Sequence, residues 1–465
     1  MASVALAPTE LGTEKIGKLL KMYAVPGIIA QTAASLYNMV DSIYIGHIPG
    51  VGSAVISGLA VTFPLMNLAT AMGTLVGVGA TTLISVLLGQ KNYDTARRVL
   101  SNVLSLNLII GALFSGVTLA FLDPILRFFG ASDVTLPFAR DYMLIILIGN
   151  VFTHLYFGFN GLIRASGHPK TAMGLTLFTV ISNAVLDPVF IFVFEMGIRG
   201  AALATVICQM AALVYTMKFF LDKKNLLHFP KPMFQIDWRI AGQSLAIGLG
   251  PFLMNSAACL VALFINQQLG KYGGDLAIGA YGIVNRLTML FIMICMGFNQ
   301  GLQPIAGYNY GARQYHRVKE VFVLTAKWEI LVTSLCFLMA ELIPGLAVSL
   351  FTNDPEMIRM ASRALRIMCA GTALVGFGIT TSTLFQCLGM VSKSIFLSLS
   401  RQLIFLLPLI YSLPMWFQEK GVWMSFPIAD TLSVVVSLVF VLRLFKKFDK
   451  LKDGQDAGAL GSAIK

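Results

Sequence analysis

Twelve apolar stretches separated by short polar breaks leave this chain very little choice of fold. They lie near residues 18–46, 54–88, 99–122, 138–163, 172–194, 200–220, 241–270, 277–308, 321–350, 360–388, 394–416 and 422–445. A hydrocarbon core of roughly 30 Å takes about 20 helical residues to cross. Inside lipid every backbone polar group must be paired within the protein, which leaves helices or a closed barrel. The alternating pattern of barrel strands is absent. Of the 465 residues, 57% are hydrophobic and 12% charged, where a soluble domain has roughly 25% charged residues. The expected fold is an all-α polytopic membrane protein. Several stretches exceed 25 residues, which predicts tilt, a kink or extension beyond the lipid.

The net charge of +12 raises nucleic acid as a partner, but the placement of the charges argues against it. With the N-terminus in the cytoplasm, 24 Lys and Arg, Arg401 among them, fall on the inner side and 8 on the outer, with Arg286 and Lys327 unassigned. The positive-inside rule accounts for that bias and puts both termini in the cytoplasm. Residues 1–17 lack the apolar core of a cleavable signal. The six cysteines (Cys208, Cys259, Cys295, Cys336, Cys369, Cys387) all lie within apolar stretches without a CxxC pair; they read as small packing residues.

The two halves repeat at an offset of 222 residues. LLGQKNYDTARRV at 87–99 aligns with YNYGARQYHRVKEV at 308–321, placing Gly89 over Gly311, Lys91 over Arg313 and Tyr93 over Tyr315. RASGHPK at 164–170 aligns with QCLGMVS at 386–392, placing Gly167 over Gly389. Six spans per half is an even number, so the halves share an orientation and are related by a pseudo-two-fold axis along the membrane normal. The expected organisation is a cytoplasmic segment 1–17, an N-lobe 18–220, a polar cytoplasmic linker 221–240, a C-lobe 241–445 and a disordered cytoplasmic tail 446–465.

Two acids stand where lipid should tolerate almost none: Asp41 in LYNMVDSIYIG and Asp187 in ISNAVLDPVFIF. An intramembrane carboxylate costs several kcal/mol unless it faces a polar cavity, so each marks a functional site. Counting helical rise from the outer boundary, Asp41 lies about 8 Å deep, Asp187 about 12 Å and Thr205 about 8 Å. Asn183 and Asp187, like Tyr37 and Asp41, are four apart and share a helix face. Tyr142 falls at a comparable depth, and Asn38 offers Asp41 a polar neighbour. Pro188 frees a carbonyl near Ala184, and Pro26 should kink the first span. The set predicts a cation site.

In the second half the positions over Asp41 fall within Leu263 to Asn266, with no acid. Asp430 and Glu341 are expected near the outer ends of their spans, solvated, and Lys327 and Glu329 near the inner surface. Arg286 has no place fixed by sequence.

Taken together, LYNMVDSIYIGH, LLGQKNYDTARR, NGLIRASGHPK, ISNAVLDPVFIF, GAALATVICQ and GYNYGARQY resemble the multidrug and toxic compound extrusion (MATE) family, over about residues 15–445. The resemblance implies alternating-access export of cationic amphipathic drugs and dyes against inward H+ or Na+, in a bacterial inner membrane. In the DinF-like branch, the cation-coupling residues would be Asp41, Asn183, Asp187 and Thr205, with Asn160 similar to a cavity-lining Asn and Pro26 to a bending proline. Implied partners are small organic cations and the lipid bilayer, with a monomeric chain and no cofactor, resident metal or nucleic acid. The second-lobe acids of the NorM-type branch are missing, which argues against a sodium site there.

Other classes fit less well. A flippase for lipid-linked pyrophosphate would need buried basic residues where the first half offers acids. A membrane-embedded enzyme would need more than His154, the one histidine clearly inside a span, and no metal-ligand spacing appears. A channel does not call for a two-lobe repeat.

Overall fold

The computed structural model describes residues 9–46, 52–451 and 453–455. Among them ten helices are long and apolar enough to cross a membrane, and a bent pair, Pro355–Cys369 with Thr372–Cys387 at 48°, makes an eleventh. Helix Ile16–Gly46, 31 residues long, reaches about 46 Å at the helical rise per residue and completes the twelve. The other spans are Gly52–Gly89, Tyr93–Ala120, Leu136–Ala165, Pro169–Val193, Ile198–Leu221, Trp238–Gly274, Leu276–Gly311, Tyr315–Leu342, Val391–Phe417 and Glu419–Lys450. No strand occurs among the described residues.

Local chemistry sets the ends of these helices. Asn92 caps span 3 by accepting from the Thr95 amide at 3.3 Å, and Asp354 caps span 10 by accepting from the Glu356 amide at 3.1 Å; each satisfies an amide that has no partner within its helix. Pro169 and Pro355 stand in first turns, where a missing N–H costs nothing. Span 1 continues through Pro26. Span 5 changes from α to π winding at Pro188, over Val189–Val193, as expected where a proline removes a ladder bond. Span 11 holds a π segment at Ser400–Leu406.

The repeat is present in the backbone itself. Lys91 and Arg313 hold φ of 59° and 60°, and Gly167 and Gly389 hold 97° and 67°. The Asn92 amide donates to the Leu87 carbonyl at 2.9 Å, and Gln314 to Asn309 at 2.8 Å. His168 donates to Ile163 at 3.1 Å, and Met390 to Phe385 at 2.9 Å. Each is the wide bond of a Schellman helix end, repeated 222 residues later.

The described residues divide into two compact units: 9–13 with Ile29–Phe252, and Glu14–Ile28 with 253–455. The division falls inside spans 1 and 7 rather than in the linker. In the first unit, span 7 meets span 2 at glycines: a Cβ on Gly79 would stand 1.8 Å from the Ser244 carbonyl oxygen, and one on Gly248 1.7 Å from that of Leu75. In the second unit, span 1 meets span 8 in the same way. A Cβ on Gly27 would lie 2.8 Å from the Gly297 carbonyl oxygen, and one on Gly301 2.8 Å from the Ala24 amide. Small residues let membrane helices approach this closely. The apolar core of the first unit includes Ile45, Leu65, Tyr142, Met143 and Ile198; that of the second includes Ile265, Val284, Leu365, Ile410 and Trp423.

The segment after Lys446 departs from expectation. Span 12 runs to Lys450, and Asp453 accepts from the Tyr315 amide at 3.0 Å while the Tyr315 hydroxyl donates to the Gln455 carbonyl at 2.8 Å. Lys319 also pairs with Asp449, and His316 with Asp453. Polar side chains at the start of span 9 hold Asp449, Asp453 and Gln455, while residues 452 and 456–465 of the expected tail lie outside the described residues.

Candidate functional site: a carboxyl pair in the first unit

Span 5 carries the centre of the site. Asn183 and Asp187, one turn apart, are both buried, and Asp187 has no solvent exposure. The Asn183 amide donates to Asp187 Oδ1 at 2.6 Å, and the Tyr37 hydroxyl from span 1 donates to Oδ2 at 3.2 Å. Thr205 of span 6 reaches Asn183 Oδ1 at 3.1 Å and also its own helix at Ala201. Asp41 lies against Asp187, and both carboxyls act on Tyr37 and on the buried Tyr142. Asp41 Oδ1 is buried without a hydrogen-bond partner. The Asn38 side chain lies outside the described residues.

Three spans thus bring Tyr37, Asp41, Asn183, Asp187 and Thr205 to one place, and Tyr142 adds a fourth. Asn160 is not among them: it donates to the Ala172 carbonyl at 3.2 Å and accepts from Arg164 at 3.4 Å. It sits near the far end of span 4, where it joins spans 4 and 5. Pro188, next to Asp187, starts the π turn that follows the site. No cluster of three or more metal-ligating His, Cys, Asp or Glu occurs among the described residues.

Sequence reasoning misplaced three charged residues of the second unit. Asp430 is buried, not solvated, and accepts from Arg401 Nε at 2.6 Å. Arg401, counted with the inner surface, lies ten residues past the start of span 11 at Val391, about 15 Å along the helix. Glu329, also assigned to the inner surface, has no solvent exposure and neither oxygen has a hydrogen-bond partner. Arg286 is exposed. His154 is buried, and its Nε2 donates to the Ala69 carbonyl at 2.9 Å, which ties it to span 2 rather than to any reactive partner.

Twelve spans in two repeated halves, with a polar cluster held inside one of them, define a polytopic membrane transporter rather than an enzyme. The family model MatE matches residues 26–189 and 251–412, and the chain belongs to that family. The multidrug export protein MepA of Staphylococcus aureus is 28% identical over 427 residues, covering 92% of this chain and 94% of MepA. MepA of Staphylococcus haemolyticus is 28% identical over 429 residues, with the same coverage. Among solved structures, the MATE multidrug transporter DinF-BH, solved with a dye bound, is 35% identical, with a TM-score of 0.86 over 95% of this chain and 98% of that one. An outward-facing MATE family transporter of the MOP superfamily matches in fold, with a TM-score of 0.89 at 22% identity over 96% of this chain and 100% of that one.

Proposed function

We propose that this protein is a secondary active multidrug exporter that expels cationic amphipathic compounds in exchange for inward H+ by alternating access. One observation carries the reading: two carboxyls from separate spans, Asp41 and Asp187, lie against each other in the first unit. Two carboxylates side by side in a medium of low dielectric repel strongly, and a shared proton relieves that repulsion. Without the proton the pair favours an organic cation; with it, that attraction falls. Tyr37 and Asn183 hold Asp187 in place while the proton comes and goes. The likeness to MepA and to DinF-BH supports drug export.

The inner-side excess of Lys and Arg supports a bacterial plasma membrane location with both termini cytoplasmic. The working lobes of this reading are residues 18–220 and 241–445, joined by the linker 221–240, in a monomeric chain. Sodium is a second reading for the coupling ion, favoured by the neutral oxygens of Asn183 and Thr205 near the carboxyls. Efflux of a lipophilic cationic dye from proteoliposomes decides between them. Efflux driven by an imposed proton gradient and absent under a sodium gradient supports the proton. Efflux indifferent to both gradients ends the antiport reading.

A further inference from the structure

Glu329 lies fourteen residues past the start of span 9 at Tyr315, about 21 Å along the helix. It is fully buried and neither carboxyl oxygen is hydrogen-bonded. The hydroxyls around it are committed to backbone: Thr333 donates to the Ala373 carbonyl at 2.8 Å, and Thr380, alongside the carboxyl, donates to Gly376 at 2.9 Å. Thr325, one turn before Glu329 on the same face, is buried with its hydroxyl unpartnered. The titratable group facing Glu329 is the Cys295 thiol of span 8. The segment Thr372–Cys387, which packs on span 9, presents hydroxyls and Gly376. No charged side chain acts on Glu329 among the described residues.

An ionised carboxylate in such a place lacks a counter-charge and has only the Thr380 hydroxyl, already donating to Gly376, beside it, at a cost of several kcal/mol. The repeat supplies a comparison. The residue 222 positions earlier is Asn107, also fully buried with both amide atoms unpartnered. Gly158, one repeat before Thr380, leaves room for it, since a Cβ there would stand 2.6 Å from Asn107 Nδ2. One architecture thus holds a permanently neutral polar group in the first unit and, in the same register, a group that can lose a proton in the second. We propose that Glu329 is an exchangeable proton-binding site of the second unit, separate from Asp41 and Asp187.

The test counts protons on the purified full-length protein. The parent carries Asp41→Asn and Asp187→Asn, so the result does not depend on the first-unit reading above. Its proton uptake on a jump from about pH 9 to about pH 6 is compared with that of the same protein carrying Glu329→Gln as well. The expected result is that the added substitution lowers uptake by about one proton per chain. Equal uptake in the two proteins overturns the proposal. Should the Glu329→Gln protein fail to run as a single monodisperse species, infrared spectroscopy of the parent and its Glu329→Asp variant decides. A carboxylic-acid carbonyl band that fades towards the higher pH and shifts in frequency in the Glu329→Asp variant supports the site, and a band that is missing, indifferent to pH or unmoved by that substitution overturns it.

Discussion

The two units share one backbone plan and place their charges differently. In the first, Asp41, Asn183 and Asp187 form a hydrogen-bonded cluster. At the offset of 222 the second unit has Leu263, Phe405 and Leu409 at those positions. Conversely, the second unit holds the Arg401–Asp430 pair and Glu329 where the first has Thr179, Cys208 and Asn107. A repeated fold therefore does not repeat its chemistry. Backbone geometry is set by the turns at Lys91 and Arg313 and at Gly167 and Gly389, and by the close approach at Gly79 and Gly301, which both halves keep. Charge is set by single side chains, which each half has changed independently.

That contrast can be broken by experiment, most severely at Asp41. Asp41→Asn is expected to reduce gradient-driven dye efflux at least about tenfold, as for loss of an essential titratable group, with the protein still monodisperse. The matching change in the second unit, Leu263→Asn, should leave most of the efflux in the same assay; comparable losses would erase the difference between the units.

Packing gives the next test. Gly79 and Gly301 occupy the same place in the repeat, but a Cβ would stand 1.8 Å from its nearest neighbour at Gly79 and 2.8 Å at Gly301. Gly79→Ala should cost about 3 kcal/mol or more and Gly301→Ala about 1–3 kcal/mol, as overpacking does. Thermal unfolding in detergent ranks the two, and a reversed order would contradict the tighter seam in the first unit.

The ion pair of the second unit should respond less. Asp430→Asn strands Arg401, whose side chain is 35% exposed, so the loss is about 1–3 kcal/mol, below that of a fully buried pair. Replacing both residues by Leu should recover much of the loss in the same melting assay; a double variant worse than the single one would mean that the pair itself stabilises the fold.

The smallest effect is expected at the positive-φ turns. Lys91→Gly removes a side chain from a left-handed position and should stabilise by about 1 kcal/mol. Arg313→Gly should gain less, because Arg313 donates to the Gly454 carbonyl at 3.2 Å. Equal shifts in melting temperature would show that this contact contributes nothing.

The span architecture was legible in the sequence because lipid imposes it residue by residue. Asp41 and Asp187 were legible because each stands among apolar residues with no nearby lysine to suggest a membrane boundary. Glu329 was misread for the opposite reason. Lys327, two residues away, made KWE look like an interfacial run. Two residues are about 200° of helical turn, so Lys327 points outward and is exposed while Glu329 points into the protein. Asp430 was misread because its span starts at Glu419, which puts it about 16 Å along the helix rather than at the end. Asn160 entered through the resemblance alone, and its hydrogen bonds to Ala172 and Arg164 are contacts that no local pattern records. The Arg401–Asp430 pair joins spans 11 and 12 by side chains 29 residues apart, a relation that no local pattern records.

Each compact unit borrows part of a helix from the other half of the chain: Glu14–Ile28 belongs with the second, and the stretch from Trp238 to Phe252 with the first. A gene cut in the linker would therefore yield two fragments, each missing a strip of its own core and carrying one that fits elsewhere. Expressed alone, either fragment should be degraded. Expressed together, they should rescue one another by exchanging those strips.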